Sequence, residues 1–336
     1  DWSSDVRSSD LDPPFTAYGL LPVYVLRAAL WVQDMAAADV DDVHAKKAVY
    51  RTARLLAAVL SCAVLVLTWL LGREFVGPWG RLLGLTVVAF APGALQQAHF
   101  FIVDGLFAVL SLAGIVAILR AVETDDRRWY FAVGLLVGAL GAVRFNGLAL
   151  GGVLLVGHLM ARRRWNAGEL WLSGVVAAGT VLVLQPYILA HPDLLARAES
   201  SNDFAKSLLF ARLEYLQPWT LVDVHSTRWW DHWWVLWPAI GGWPLTVALL
   251  GGIAFVLWRG TRPQRLALLW CSIYFASVGA LPVKAVRYLV PLLPVLGLCV
   301  AALCEEIGRR ARWPGSVLGV VITVPVVIYG LSFARI

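Results

Sequence analysis

Residues 86–110 read TVVAFAPGALQQAHFFIVDGLFAVL. From Leu82 to Val103 no side chain carries a formal charge, then Asp104 appears, and no further charge follows before Arg120. Two apolar helices are therefore expected to meet at one acid, with Pro92, Gly93, Gln96, Gln97 and His99 just before it. Asp104 has two readings. It is a helix N-terminal acid in a turn between two spans, where the helix dipole favours negative charge, or it is a functional carboxylate, because ionisable groups at membrane depth are costly and usually have a role.

The composition around this stretch selects the class. The chain has 336 residues, 60% of them hydrophobic and 15% charged, with a mean hydropathy of +0.72. These values exclude an ordinary soluble domain and predict an all-α polytopic membrane protein. The net charge of +6 reads as membrane topology, and no basic soluble patch suggests nucleic acid as a partner. Seventeen tryptophans fit interfacial aromatic belts. Cys62, Cys271, Cys299 and Cys304 lie in apolar runs without CxxC spacing, so they are expected to be small core residues.

Three segments follow from the chain order. Residues 1–11, DWSSDVRSSDL, carry a near-tandem SSDV/SSDL pair and resemble translated adapter DNA. They are expected to be a non-native scar on an N-terminally truncated fragment, and their aspartates are set aside. Residues 12–50 read as an outer juxtamembrane segment, Pro-rich at its start, followed by a polar loop at 33–50. Residues 51–336 read as a transmembrane core with an outer loop at 188–232, making about ten spans at the usual length. Within it, Leu82–Gln97 is expected to return as one span, and Tyr130–Met160 to form two short spans broken near Arg144-Phe145-Asn146-Gly147.

Loops 72–81, 120–128, 161–165, 259–265 and 305–313 are short and all carry arginine, which assigns them to the cytoplasm. The opposite face then holds residues 12–50, Asp104, Arg144, the 188–230 loop, Lys284 and Arg287. Every unusual charge converges on that side, which predicts an extracytoplasmic site in a plasma-membrane protein.

Laid out this way, the chain resembles the lipid-carrier-dependent glycosyltransferases of the GT-C fold, and among them the dolichyl-phosphate-mannose-protein mannosyltransferases (glycosyltransferase family 39) and their bacterial relatives. The resemblance rests on DPPFTAYGLLPVYVLRA at 12–28, on the run from Arg51 to Phe107, on LGAVRFNGLAL at 140–150, where Arg144 stands in the usual place of a lysine, and on VKAVRYLVPLLPVL at 283–296. It covers about residues 12–300. It implies an enzyme that takes a sugar from polyprenyl phosphate or diphosphate on the outer face and passes it to a protein, lipid or glycan acceptor. Asp104 matches the family's second acid. The acid usual on the first outer loop has no counterpart, because Asp12 precedes the prolines where His or Asn is usual, so the fragment is expected to lack its first catalytic acid.

Transfer from a lipid phosphate needs a carboxylate to take the acceptor proton or stabilise positive charge at the anomeric carbon, and cations for the departing phosphate. It also needs a groove for the isoprenoid. Asp104 is the candidate carboxylate. Lys284 and Arg287, three apart, would share a helical face and clamp a phosphate; the plainer reading is an interfacial pair anchoring a span. Arg144 needs a partner, either Asp104 or a lipid phosphate, unless it snorkels at a helix end. His99 would lie one turn before Asp104 if the helix continues. Glu214 and Gln217 open a Trp-rich segment suited to contacting donor or acceptor. Asp223, His225, Asp231 and His232 match no ligand spacing, so no metal site is assigned and a divalent metal is left open. The alternative function is a transporter or flippase for a lipid-linked or small polar substrate, disfavoured by the scarcity of acids within the spans.

Overall fold

The computed structural model describes residues 19–33, 43–161, 167–186, 227, 229–280, 285–310 and 315–334. Among them the secondary structure is helical throughout. The α-helices are α1 (Leu21–Trp31), α2 (Val43–Gly72), α3 (Pro78–Phe90), α4 (Pro92–His99), α5 (Val103–Thr124), α6 (Arg127–Gly141), α7 (Leu150–Met160), α8 (Ala167–Leu184), α9 (Trp237–Arg259), α10 (Arg262–Gly279), α11 (Leu293–Arg310) and α12 (Gly315–Ala334). Short 3-10 segments at Phe145–Ala149, Val286–Tyr288 and Val290–Leu292, and a π-helical turn at His232–Leu236, join some of them. Among the described residues, five helical stretches are long and apolar enough to cross a membrane, and four more are apolar but shorter. The protein is a multi-pass membrane bundle.

Proline and aspartate set the breaks. Pro78 and Pro92 sit in the first turns of α3 and α4, where a missing N–H costs nothing. Pro92 also forces Ala91 into extended backbone (ψ 124°), since the residue before proline avoids the helical region. The span expected at Leu82–Gln97 is therefore two helices. Asp125 ends α5 with a left-handed φ of 59°, and the Asp126 side chain accepts from Arg128 N at 2.9 Å to start α6. Thr261 and Gln264 form a capping box at the start of α10.

Burial separates centre from periphery. Two thirds of the apolar window of α5 is buried, against 6% for that of α8. Both are apolar on all faces, but α5 packs between α2, α6 and α7, whereas α8 docks mainly on α6. That docking is close: a Cβ at Gly138 would meet the Ala177 carbonyl oxygen at 2.5 Å, so only glycine fits. On the other side α11 packs against α3, α9 and α12.

Two sequence expectations are corrected here. Residues 43–50, expected as part of the polar loop at 33–50, are helical, since α2 already begins at Val43. Its first turns are alanine-rich with lysine and arginine, residues that favour helix in or out of the bilayer. Cys62 is exposed on the outside of α2, whereas Cys271, Cys299 and Cys304 are buried; apolar surroundings in sequence do not distinguish a lipid-facing position from a core one.

Candidate functional site

The first turn of α5 carries Asp104 into the bundle, where the residue is 1% exposed. The helix does not run on from α4: Phe100 and Ile102 are extended, and α5 starts afresh at Val103. This break alters the place of His99. It ends α4 on an exposed face, with Nδ1 2.8 Å from the Leu95 carbonyl oxygen, rather than one helical turn from Asp104.

Arg144 comes from the break between α6 and α7. It has extended backbone (φ −148°, ψ 132°) just before the Phe145–Ala149 segment. Gly147 permits the tight return, since a Cβ there would stand 2.8 Å from the Leu140 backbone. Residues 19–22, GLLP, dock beside it: Gly19 N donates to the Val143 carbonyl (3.1 Å) and Leu21 N to the Ala142 carbonyl (3.4 Å). Asn146 donates from Nδ2 to Ser277 Oγ (3.3 Å), and Ser277 in turn donates to the Tyr274 carbonyl (2.7 Å).

These elements converge on one carboxylate. Arg144 Nη1 lies 2.9 Å from Asp104 Oδ1, with side-chain exposures of 11% and 0%. Arg287 Nε lies 3.9 Å from Asp104 Oδ2. Arg144 Nη1 also donates to Tyr274 Oη at 3.3 Å. Both guanidinium carbons stand near the Tyr288 ring, 4.8 Å from its centroid for Arg144 and 5.4 Å for Arg287. Phe107, Trp270 and Tyr274 form the aromatic wall, with Phe107 and Tyr274 centroids 5.0 Å apart. One carboxylate thus faces two guanidiniums, and this trio carries one net positive charge. Strong pairing is what permits such burial, since unpaired charge would cost several kcal/mol. Cation–π contact with Tyr288 adds to it.

The helical face expected to join Lys284 to Arg287 falls partly outside the described residues. Arg287 sits in the 3-10 segment Val286–Tyr288, and Ala285 before it is extended (φ −129°, ψ 130°). Lys284 and Glu214 lie outside the described residues, as do Gln217, Asp223 and His225. Asp231 accepts from Thr227 N and Oγ1 (2.6 and 2.9 Å). His232 is buried edge-on against Phe275, with centroids 5.4 Å apart. Among the described residues no three His, Cys, Asp or Glu side chains gather into a metal-binding group.

Sequence reasoning missed Tyr274, Tyr288, Asn146 and Ser277 as parts of this site. Asn146 and Tyr288 stand inside stretches that carried the family resemblance, and that was their signal. Tyr274 had none, because an aromatic residue in an apolar span reads as core.

A comparison with family models and with curated proteins finds no match. Solved structures do match. The chain is similar to ArnT from Cupriavidus metallidurans in the apo state, with a TM-score of 0.60 and 16% identity over 90% of this chain and 52% of that one. Against ArnT bound to undecaprenyl phosphate the TM-score is 0.61 at 15% identity, covering 96% and 62%. The archaeal oligosaccharyltransferase AglB from Archaeoglobus fulgidus, in complex with an inhibitory peptide and a dolichol-phosphate, gives a TM-score of 0.61 at 13% identity, covering 96% and 48%. At such identities the likeness is one of fold. The chain has the GT-C-like membrane bundle that the sequence resemblance implied, and it spans about half to six-tenths of the length of these structures.

Proposed function

We propose that this chain is, or is part of, a glycosyltransferase that moves a sugar from a polyprenyl-phosphate carrier to an acceptor at the extracytoplasmic face of the membrane. The sugar is mannose or another hexose or pentose, and the acceptor is a protein, lipid or glycan. The observation that supports this most is the pair of arginines on one buried acid, Arg144 at 2.9 Å and Arg287 at 3.9 Å from Asp104. Two guanidiniums held together by one carboxylate attract a further anion, and the phosphate of a lipid carrier has the charge and oxygen geometry for it. The fold supports the reading as well, since ArnT is seen with undecaprenyl phosphate and AglB with dolichol-phosphate.

In the transfer, the bond between the anomeric carbon and the phosphate oxygen breaks, and one from that carbon to the acceptor oxygen forms. The acceptor proton passes in the end to the departing lipid phosphate, which closes the balance. Arg287, 41% exposed, would meet the phosphate directly, while Arg144 sits deeper at 11%. Asp104, paired with both arginines, is the candidate carboxylate of the transfer and also orients the two guanidiniums. His99, Lys284 and Glu214 remain candidate contacts for donor or acceptor, and a divalent metal remains open.

Binding of undecaprenyl phosphate to the purified protein, together with sugar transfer in membranes, tests the reading. Arg287→Gln is expected to weaken carrier binding about tenfold or more, the worth of one charge-assisted contact, while leaving helicity and thermal midpoint near wild type. Asp104→Asn is expected to abolish transfer. Unchanged binding and transfer in both variants would overturn the assignment. Counterflow of a substrate without any transfer would favour a transporter instead.

A further inference from the structure

Arg144 belongs to a turn that is held as one piece. Gly147 N donates to the Arg144 carbonyl at 2.8 Å, which closes Arg144-Phe145-Asn146-Gly147 into the first turn of the 3-10 segment. Upstream, Arg144 N donates to the Leu140 carbonyl (2.9 Å) near the end of α6. The turn then meets α10 at two points. Arg144 Nη1 donates to Tyr274 Oη and Asn146 Nδ2 to Ser277 Oγ, both at 3.3 Å. Tyr274 and Ser277 are three residues apart on α10, so they share a face and stand about 4.5 Å apart along its axis. One contact would leave the turn a pivot; two fix its rotation.

The Asn146 contact has a fixed polarity. Ser277 directs its proton to the Tyr274 carbonyl, 2.7 Å away. Only its lone pairs then face Asn146, so Asn146 must donate. The other half of that amide is idle: Asn146 Oδ1 is enclosed and accepts no hydrogen bond. An enclosed acceptor without a donor lowers stability, so an apolar side chain of similar volume would serve packing better. The asparagine is explained by what its N–H holds. Through the turn, that is Arg144, whose guanidinium reaches Asp104 at 2.9 Å from a position only 11% exposed.

We infer that Asn146 is a positioning residue: by tying the turn to Ser277 it sets the direction from which Arg144 meets Asp104. The positioning is a property of the fold, whereas its effect on transfer rests on the transferase reading. Misplacing a group at a reacting centre by about 1 Å costs up to about 100-fold in rate, and losing one of two ties is expected to cost about tenfold in kcat. KM for the carrier is expected to change little, because Arg287 is the residue that meets the phosphate.

Phenylglyoxal labelling of the purified protein, read by peptide mass spectrometry, reports the place of Arg144 without any activity. Arg309, 72% exposed, is the internal reference. Wild-type Arg144 is expected to be protected. Asn146→Leu removes the donor and the idle acceptor together. It is expected to raise Arg144 labelling about tenfold, the upper worth of one hydrogen bond, with a thermal midpoint at or above wild type, an outcome that a merely structural role would not give. Ser277→Ala is expected to give the same rise and the double variant no more, since both remove one bond. Ser277→Thr keeps the accepting oxygen and is expected to keep Arg144 protected. Free labelling of Arg144 in wild type overturns the role, as do full protection in Asn146→Leu and an additive rise in the double variant. Lost transfer with Arg144 still protected also overturns it, and leaves the transferase reading standing. Exposure of Arg144 in the variants of a protein that transfers no sugar from any polyprenyl-phosphate donor upholds the positioning and overturns the transferase reading instead.

Discussion

Asp104 and Glu306 make an instructive pair. Each is one carboxylate facing several guanidiniums, two at Asp104 and three at Glu306. Asp104 has no exposed side-chain surface and its closer arginine has 11%, whereas Glu306 is 21% exposed and its arginines 42–72%. Coulomb attraction per contact is similar on paper. In water it is screened to almost nothing, and in a low-dielectric interior it becomes large and so does the cost of leaving a charge unmatched. The same residue types therefore make a buried cluster that depends on its carboxylate at one end and a screened, replaceable network at the other.

The largest test of that contrast is Asp104→Ala. Two guanidiniums would be left around an empty position, and the loss is expected to be about 3–5 kcal/mol, the range for breaking a buried pair. Chemical unfolding in mild detergent, followed by circular dichroism, measures it. A loss below about 1 kcal/mol, the level of an exposed pair, would show that water reaches this end and would erase the contrast. Glu305→Ala should fall between the extremes, since it removes two hydrogen bonds from backbone N–H groups to a carboxylate at the start of α3. The expected cost is about 2 kcal/mol, read by the same unfolding and by faster hydrogen exchange at Gly77 and Gly80. Glu306→Gln should be the mildest, with a thermal midpoint unchanged within error at physiological salt. A clear drop would mean that its three arginines act as a structural network.

Much of the bundle could be read directly from residue order. The charged stretch at 120–128 and the Arg144–Gly147 interruption each contain a real break, whereas the break at Pro92 was passed over inside a span expected to be continuous, although proline acts on the residue just before it. The sequence offered Asp104 as one of two partners for Arg144, and it related Arg287 to them only by a shared side of the membrane. Whether they touch depends on how α5, the α6–α7 break and the segment before α11 rotate about their own axes, and hydropathy is silent on rotation when a helix such as α5 is apolar all round. His99 shows the opposite failure. Extended backbone at Phe100 and Ile102 turned an assumed helical neighbour of Asp104 into an exposed side chain bonded to its own helix.

The sequence alone determined the membrane class, the alternation of arginine-bearing loops and the solitary acid in an apolar stretch, since these follow from composition and from interactions between near neighbours. The tertiary structure decided that Asp104 pairs with residues 40 and 183 positions away, that Tyr274 and Tyr288 complete the site, and that Glu305 and Glu306 face different tasks despite adjacent numbers. The physical reason is that apolar surface can be buried against many partners at nearly equal gain. Side-chain packing and the need to match each buried charge then select among those partners.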